Sequence, residues 1–259
     1  MIAPGFAGLE AQLWLWLFAM IRPGAALFAA PVFGSSSVPV QLRIILSLAI
    51  GMAALNSVHF VLPPDGIASM RGVAMVGGEV LAGLALGFAV QIGYAAAFIG
   101  CETIANAMGL GFSTMIDPQS GQSTPVVGQF LSILATFLLL ATNGHLLLIR
   151  SIIASYQALP PGAGLMPAAA FESIVRFGGS MFSIGLLIAL PVGFTLILVQ
   201  LIMAMLARSA PSLNLFAVGL PATLLAGLVL LAIAAPELGN AIIASLNGGL
   251  DMAARLAGG

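Results

Sequence analysis

Apolar stretches, each about as long as a bilayer is thick, fill most of this chain and decide what it can become. About six of them reach the roughly twenty residues that a spanning helix needs: residues 13–33, 44–62, 73–99, 126–149, 177–206 and 213–235, with a weaker amphipathic stretch running on to Arg255. The 259 residues are 61% hydrophobic and only 6% charged, against roughly a quarter charged in an ordinary soluble domain. Mean hydropathy is +1.16. A soluble domain of this size buries only about three quarters of its chain surface, so lipid or an equally apolar partner has to cover the rest. The expected fold class is all-α, an integral membrane protein of about six long hydrophobic helices, read as one domain over residues 1–259.

The breaks between the runs carry turn and helix-start chemistry. Ser35, Ser36, Ser37 and Pro39 cap and open the second helix, and Pro63, Pro64, Asp65 and Gly66 form a turn. Thr124 and Pro125 open the fourth run, Pro160, Pro161 and Gly162 end it, and Arg208 to Ser212, with Pro211 inside, divides the fifth from the sixth. No basic residue precedes Arg22, so the first run lacks the charged start of a secretory signal and is expected to be retained. With Arg22 set aside, Arg71, Arg150, Arg176 and Arg255 share the side of the termini, against Arg43 and Arg208 opposite. That asymmetry favours cytoplasmic termini.

Charge and cysteine usage close off whole classes of function. All seven basic residues are arginine, which rules out a phosphate-cradling Walker loop and a Schiff-base lysine. A net charge of −1 without a basic block gives nucleic-acid binding no source of counterion release, so no nucleic-acid partner is expected. Cys101 stands alone, and His59 and His145 lie far apart outside any metal-binding repeat. No cofactor, metal or catalytic group is expected.

A few polar residues stand inside or beside the greasy runs. Arg22, Glu79 and Glu102 are charges that need a partner or a wet cavity, and a structural ion pair or subunit contact accounts for them more simply than a proton relay. Asn143, Gly144 and His145 interrupt the fourth run, either as a broken helix or as a turn between two hairpin arms. In the third run Ala85, Ala89, Gly93, Ala97 and Cys101 form one ridge at i+4 spacing, and Gly83 with Gly87 another. Such ridges let helix backbones approach closely.

The most informative stretch is 108–125, which opens Met108, Gly109, Leu110, Gly111, Phe112, Ser113, Thr114, Met115, Ile116, Asp117 and Pro118 before a Ser, Gln and Gly tract. Glycine supplies backbone freedom and methionine a soft, adaptable surface, a mixture that suits a movable seal as well as it suits an interface loop. Gly111, Phe112, Ser113 and Thr114 also fit the short G-x-S-x pattern of rhomboid proteases, with His145 as a base. That pattern arises easily in a glycine-rich membrane chain. A small-solute transporter using Glu79, Glu102 and His145 is a further reading, weakened by the lack of an internal repeat.

Taken in order, these residues resemble the FliR family, the flagellar branch of the type III secretion export-gate proteins. The matching pieces are Arg22; Ala30, Pro31, Phe33 and Gly34; Val38, Pro39 and Arg43; and Glu79 leading into Gly83, Leu84, Ala85, Leu86, Gly87 and Phe88. Glu102 follows, then Met108, Gly109, Leu110, Phe112, Asp117 and Pro118, then Asn143, Gly144, His145 and Leu146. Arg208, Ala210, Pro211, Asn214 and Phe216 lead on to Gly219 and Pro221. Departures are small: Cys101 where glycine is usual, Ser212 for a common glutamine, and Leu220 for phenylalanine.

The resemblance implies bent helical hairpins in a FliP/FliQ-like helical assembly, much of it held out of the bilayer plane, closing around a pore for unfolded flagellar proteins. It implies FliP-like and FliQ-like partner subunits, with FlhB-like and FlhA-like proteins beside them, in the bacterial inner membrane at the flagellar basal body. Virulence secretion systems share the architecture. On this resemblance Met108, Gly109, Leu110, Gly111, Phe112, Ser113, Thr114, Met115 and Asp117 form a plug, and Arg22, Glu79, Glu102, Asn143, His145 and Arg208 make buried polar or subunit contacts.

Overall fold

The computed structural model describes residues 7–56, 58, 60, 69–111, 126–162, 164–209 and 215–258. Eight helices follow one another among them: α1 (Ala7–Ala19), α2 (Ile21–Ala29), α3 (Val40–Leu55), α4 (Met70–Ala107), α5 (Val126–Ala141), α6 (Gly144–Ala158), α7 (Ala168–Ser209) and α8 (Leu215–Leu256). No strand occurs among the described residues, as the helical reading of the apolar runs requires.

Four stretches are long and apolar enough to cross a membrane: Gln12–Ala29, α4, α7 and Val218–Leu256, with the broken pair α5 and α6 making a fifth if taken together. The second run yields only α3, 16 residues long. The amphipathic tail is no separate element, because α8 continues through it to Leu256. Glu237, Asn240, Asn247 and Asp251 occupy its exposed side while Ser245, Leu246, Gly249 and Leu250 are buried. These four polar residues thus fall on one face of an unbroken helix.

Local chemistry accounts for the breaks. Pro39 is the residue before α3, and its carbonyl accepts from Leu42 and Arg43 in the first turn. The division between α1 and α2 has Pro23 as its cause. A proline has no N–H to give the carbonyl four residues back, here that of Ala19, and the hydroxyl of Tyr156 donates to that oxygen instead at 3.0 Å. Between α5 and α6, Asn143 adopts a left-handed conformation with φ 58°, one that asparagine tolerates better than most residues. The fourth run is therefore interrupted at Asn143, as a broken span or a re-entrant turn. The positive φ of Asn143 stops α5, and its carbonyl accepts from Leu146 and Leu147 to start α6. Pro160 and Pro161 follow the end of α6 as expected, with Gly162 at φ +85°. The expected turns at 63–66, at 124–125 and around Pro211 lie outside the described residues.

The chain gathers into two compact units. The first comprises residues 1–93, 143–178 and 247–259, with Phe18, Ala26, Leu27, Leu86, Ala89, Ile152 and Tyr156 among its buried residues. Here α2 packs on α4 almost backbone to backbone: a Cβ added at Gly83 would run into the Arg22 carbonyl oxygen, and one at Gly87 into that of Ala26. A Cβ at Gly249 would stand 2.9 Å from the Ala89 oxygen, so α8 also comes close to the other ridge of α4, though less so than α2 does to its own.

The second unit comprises residues 94–142 and 179–246 and buries Ala97, Cys101, Ile104, Leu131, Ala135, Val192, Leu196 and Ile242. Gly100 on α4 and Gly185 on α7 interlock, a Cβ at Gly100 falling 2.9 Å from the Gly185 oxygen and one at Gly185 2.9 Å from that of Ala96. Small residues thus serve close helix approach in both units, the device open to helices that lipid gives no hydrophobic reason to associate.

Candidate functional site

In the first unit α2, α4 and α6 build a buried ionic node. Arg22 on α2 is fully buried and Glu79 on α4 is 3% exposed. They pair side to side: Arg22 Nε donates to Glu79 Oε2 at 2.8 Å and Nη2 to Oε1 at 2.9 Å, a bidentate geometry that guanidinium and carboxylate share. Nη1 donates to Ser155 Oγ at 3.0 Å and Nη2 also to the Leu159 carbonyl at 2.8 Å. The guanidinium lies 4.0 Å from the centre of the Tyr156 ring, close enough for a cation–π contribution. Phe60 packs against the same ring in a tilted arrangement, with 5.0 Å between centroids and 56° between the planes. Both charges are neutralised and hydrogen-bonded, so the node holds α2, α4 and α6 together and offers no open chemistry.

In the second unit the polar geometry gathers at the end of α4, where the 108–125 stretch begins. A helix leaves its last carbonyls without partners, and here each can be followed. The Met108 N–H donates to Ile104, that of Leu110 to Ala105 at 3.3 Å, and that of Gly109 to Asn106 at 3.0 Å. Gly109 has φ +83°. This crossed pair of bonds around a left-handed glycine is a Schellman motif, so the first glycine of the stretch is the helix stop. Side chains serve the two remaining carbonyls. Gln200 Nε2 on α7 donates to Ala107 at 2.8 Å, and Thr223 Oγ1 on α8 stands 3.4 Å from that of Met108 and 3.0 Å from its own Leu220 carbonyl. Met108 is itself buried, its side chain filling the space that Gly227 leaves on α8.

Of the residues expected to form a plug, Met108, Gly109, Leu110 and Gly111 thus lie in or just past the capped end of α4, while Phe112, Ser113, Thr114, Met115 and Asp117 lie outside the described residues. So does one member of the serine and histidine pair, Ser113. His145 is the second residue of α6, half-buried, with Nδ1 enclosed and without a hydrogen-bond partner among the described residues. Glu102 faces α5 in the second unit: its Oε1 is enclosed without a hydrogen-bond partner among the described residues and occupies the space where a Cβ of Gly128 would stand. Glu79 and Glu102 sit on one helix with roughly 35 Å of axial rise between them. They do not form one coupling cluster. Arg208 is exposed in the last turn of α7, where a cation suits the helix dipole. Among the described residues no three of His, Cys, Asp or Glu are grouped to hold a metal ion.

Sequence reasoning passed over Ser155, Tyr156, Gln200, Thr223 and Gly227. The signal for Gln200 was present: it is a lone amide within 196–206, which is otherwise entirely apolar, and such a group needs a partner. Tyr156 had only Pro23 as a clue, and the carbonyl that it serves, that of Ala19, is 137 positions away.

Fold and site define an integral membrane protein, all-helical among the described residues, whose helix α4 ends in a glycine stop and which buries one ionic node, with no grouped reactive centre among the described residues. A family model described as "Bacterial export proteins, family 1" matches residues 13–248, and the chain belongs to the FliR family of these proteins. It is 35% identical over 223 residues to the flagellar biosynthetic protein FliR of Pectobacterium carotovorum subsp. carotovorum, covering 86% of this chain and 84% of that one. To the FliR of Escherichia coli K12 it is 33% identical over 224 residues, with the same two coverages. The FliR of Bacillus subtilis 168 is 31% identical over 221 residues, 83% of this chain and 84% of that protein.

Proposed function

We propose that the whole chain, 1–259, acts as one domain of the flagellar type III protein export gate. With FliP-like and FliQ-like subunits it forms the pore through which unfolded flagellar proteins leave across the bacterial inner membrane at the basal body, next to FlhB-like and FlhA-like proteins. The names of the relatives support the flagellar branch over the virulence one. The chain works without catalysis of its own, and other proteins supply the energy. Helix lengths support an assembly: α7 and α8 have 42 residues each, about 63 Å of helix against roughly 30 Å of hydrocarbon. Phe182, Leu186, Leu190, Phe194 and Ile197 of α7 stand exposed, an apolar face that lipid or a neighbouring subunit has to cover.

The observation that carries the gate reading is the fixed root at Met108 and Gly109, which starts a Gly, Met and Phe segment at a defined place on α4. A channel for unfolded chains has to stay shut to ions, and glycine, methionine and phenylalanine are residues adaptable enough to close it. Opening is then a shift of population on substrate entry. Deletion of residues 109–114 is expected to make cells that hold the assembled complex leak ions. The check is membrane conductance with and without the deletion, and equal conductance rules the plug out.

A further inference from the structure

We infer that the first unit carries a binding site for an anionic phospholipid, with Arg255 meeting the headgroup. The site is a cavity of about 480 Å³ among the end of α6, the start of α7 and the end of α8, and it is independent of the gate segment. Its volume falls within the roughly 300–1,000 Å³ of small-molecule sites. The charged residues of its wall are both arginines, Arg22 and Arg255, and no carboxylate stands beside them among the described wall residues. Two other cavities of this unit differ in that respect: one has Asp251 as well as Arg150, the other Glu79 as well as Arg71.

The two arginines have different parts. Arg22 belongs to the inner wall, fully buried and neutralised by Glu79. Arg255 is exposed in the last turn of α8. The ion pairs among the described residues are Arg22 with Glu79 and Arg176 with Glu172, so Arg255 is unpaired there, even though Asp251 stands one turn earlier on the same helix. A free guanidinium offers phosphate a planar fork of donors. Ser173 gives its proton to the Ala170 carbonyl at 2.7 Å and keeps lone pairs that accept from a headgroup hydroxyl. The remaining wall is apolar, with Leu86, Met166, Met252 and Leu256 in it, and methionine adapts to the shape of a chain. A free phosphate has no use for such a wall, whereas an acyl chain does. The position agrees: Arg255 shares the side of the termini with Arg71, Arg150 and Arg176, the side expected to be cytoplasmic. The cytoplasmic leaflet carries anionic lipid, and basic pockets between helices on that side take its headgroups.

The test uses the intact export complex, purified in a neutral detergent and titrated with phosphatidylglycerol, with phosphatidylcholine and inorganic phosphate as competitors. Native mass spectrometry reads the lipid bound, and the amount of complex recovered reads assembly. Phosphatidylglycerol is expected to bind, and neither an equal amount of phosphatidylcholine nor excess phosphate is expected to displace it. Arg255→Gln is expected to weaken that binding roughly fivefold, the share of one basic side chain at an anionic membrane surface, with the recovery of complex unchanged. Ala170→Leu, which narrows the wall, is expected to weaken binding with every charge in place. Arg150→Gln removes an equally exposed cation outside this wall and is expected to bind as the parent does. Equal losses from Arg150→Gln and Arg255→Gln would mean general charge attraction and overturn the site. Displacement by phosphate would leave an anion site without a lipid, and reduced recovery of the Arg255→Gln complex with lipid binding intact would give the cation to a partner's carboxylate. Either result overturns the inference.

Discussion

Glu79→Ala is expected to cost about 3–5 kcal/mol, the penalty for leaving one partner of a buried ion pair uncompensated. Arg22 is fully buried and would keep its guanidinium in an apolar interior with only Ser155 and the Leu159 carbonyl as acceptors. Thermal unfolding of the detergent-solubilised complex measures the loss, and the amount of intact complex in the membrane follows it. The double change Arg22→Leu with Glu79→Leu removes both charges and is expected to be milder than Glu79→Ala alone, because an apolar pair of similar volume often replaces a buried ion pair without loss. Glu79→Ala behaving like the parent would remove the node from the account of stability.

Gly87→Val is the second large effect. Core overpacking commonly costs about 1–3 kcal/mol because neighbouring side chains yield, but at Gly87 the obstacle is the carbonyl oxygen of Ala26, part of the α2 backbone. The whole helix has to move, and Arg22 with it. The expected loss exceeds the usual range and is seen as failure to accumulate in the membrane. Gly77 on the same helix is the control: nothing lies within 4 Å of a Cβ there, so Gly77→Ala is expected to be neutral or to stabilise by up to roughly 1 kcal/mol. Equal behaviour of the two positions would mean that α2 and α4 are not in backbone contact.

How far the sequence could be read depended on whether a feature is local. The apolar runs, the stop at Asn143 and the ridges of small residues were legible, because periodicity and left-handed propensity act within one or two turns. The ends of α4 and α8 were not. Hydropathy takes Glu102 or Glu237 as a boundary, whereas the backbone ladder runs on past a polar residue so long as its side chain has somewhere to go, as the exposed face of α8 shows.

The site divides in the same way. Arg22 and Glu79 were both conspicuous as charges in apolar runs, yet their pairing spans 57 positions, and no short pattern expresses it. The glycine stop at Gly109 was visible as composition and became a defined motif only through its bonds to Ala105 and Asn106. Thr223 and Gly227 look ordinary within α8, since a threonine and a glycine there carry no local signal. Their meaning comes from Met108, which stands on another helix.

One claim supports the rest: neighbouring subunits cover the exposed apolar sides of α7 and α8. Mild detergent extraction, followed by mass determination of whatever emerges with this chain, tests it most directly. The account predicts a hetero-oligomer in which FliP-like and FliQ-like chains accompany it in fixed ratio. A stable solitary chain, recovered from cells that export at the full rate, would contradict it.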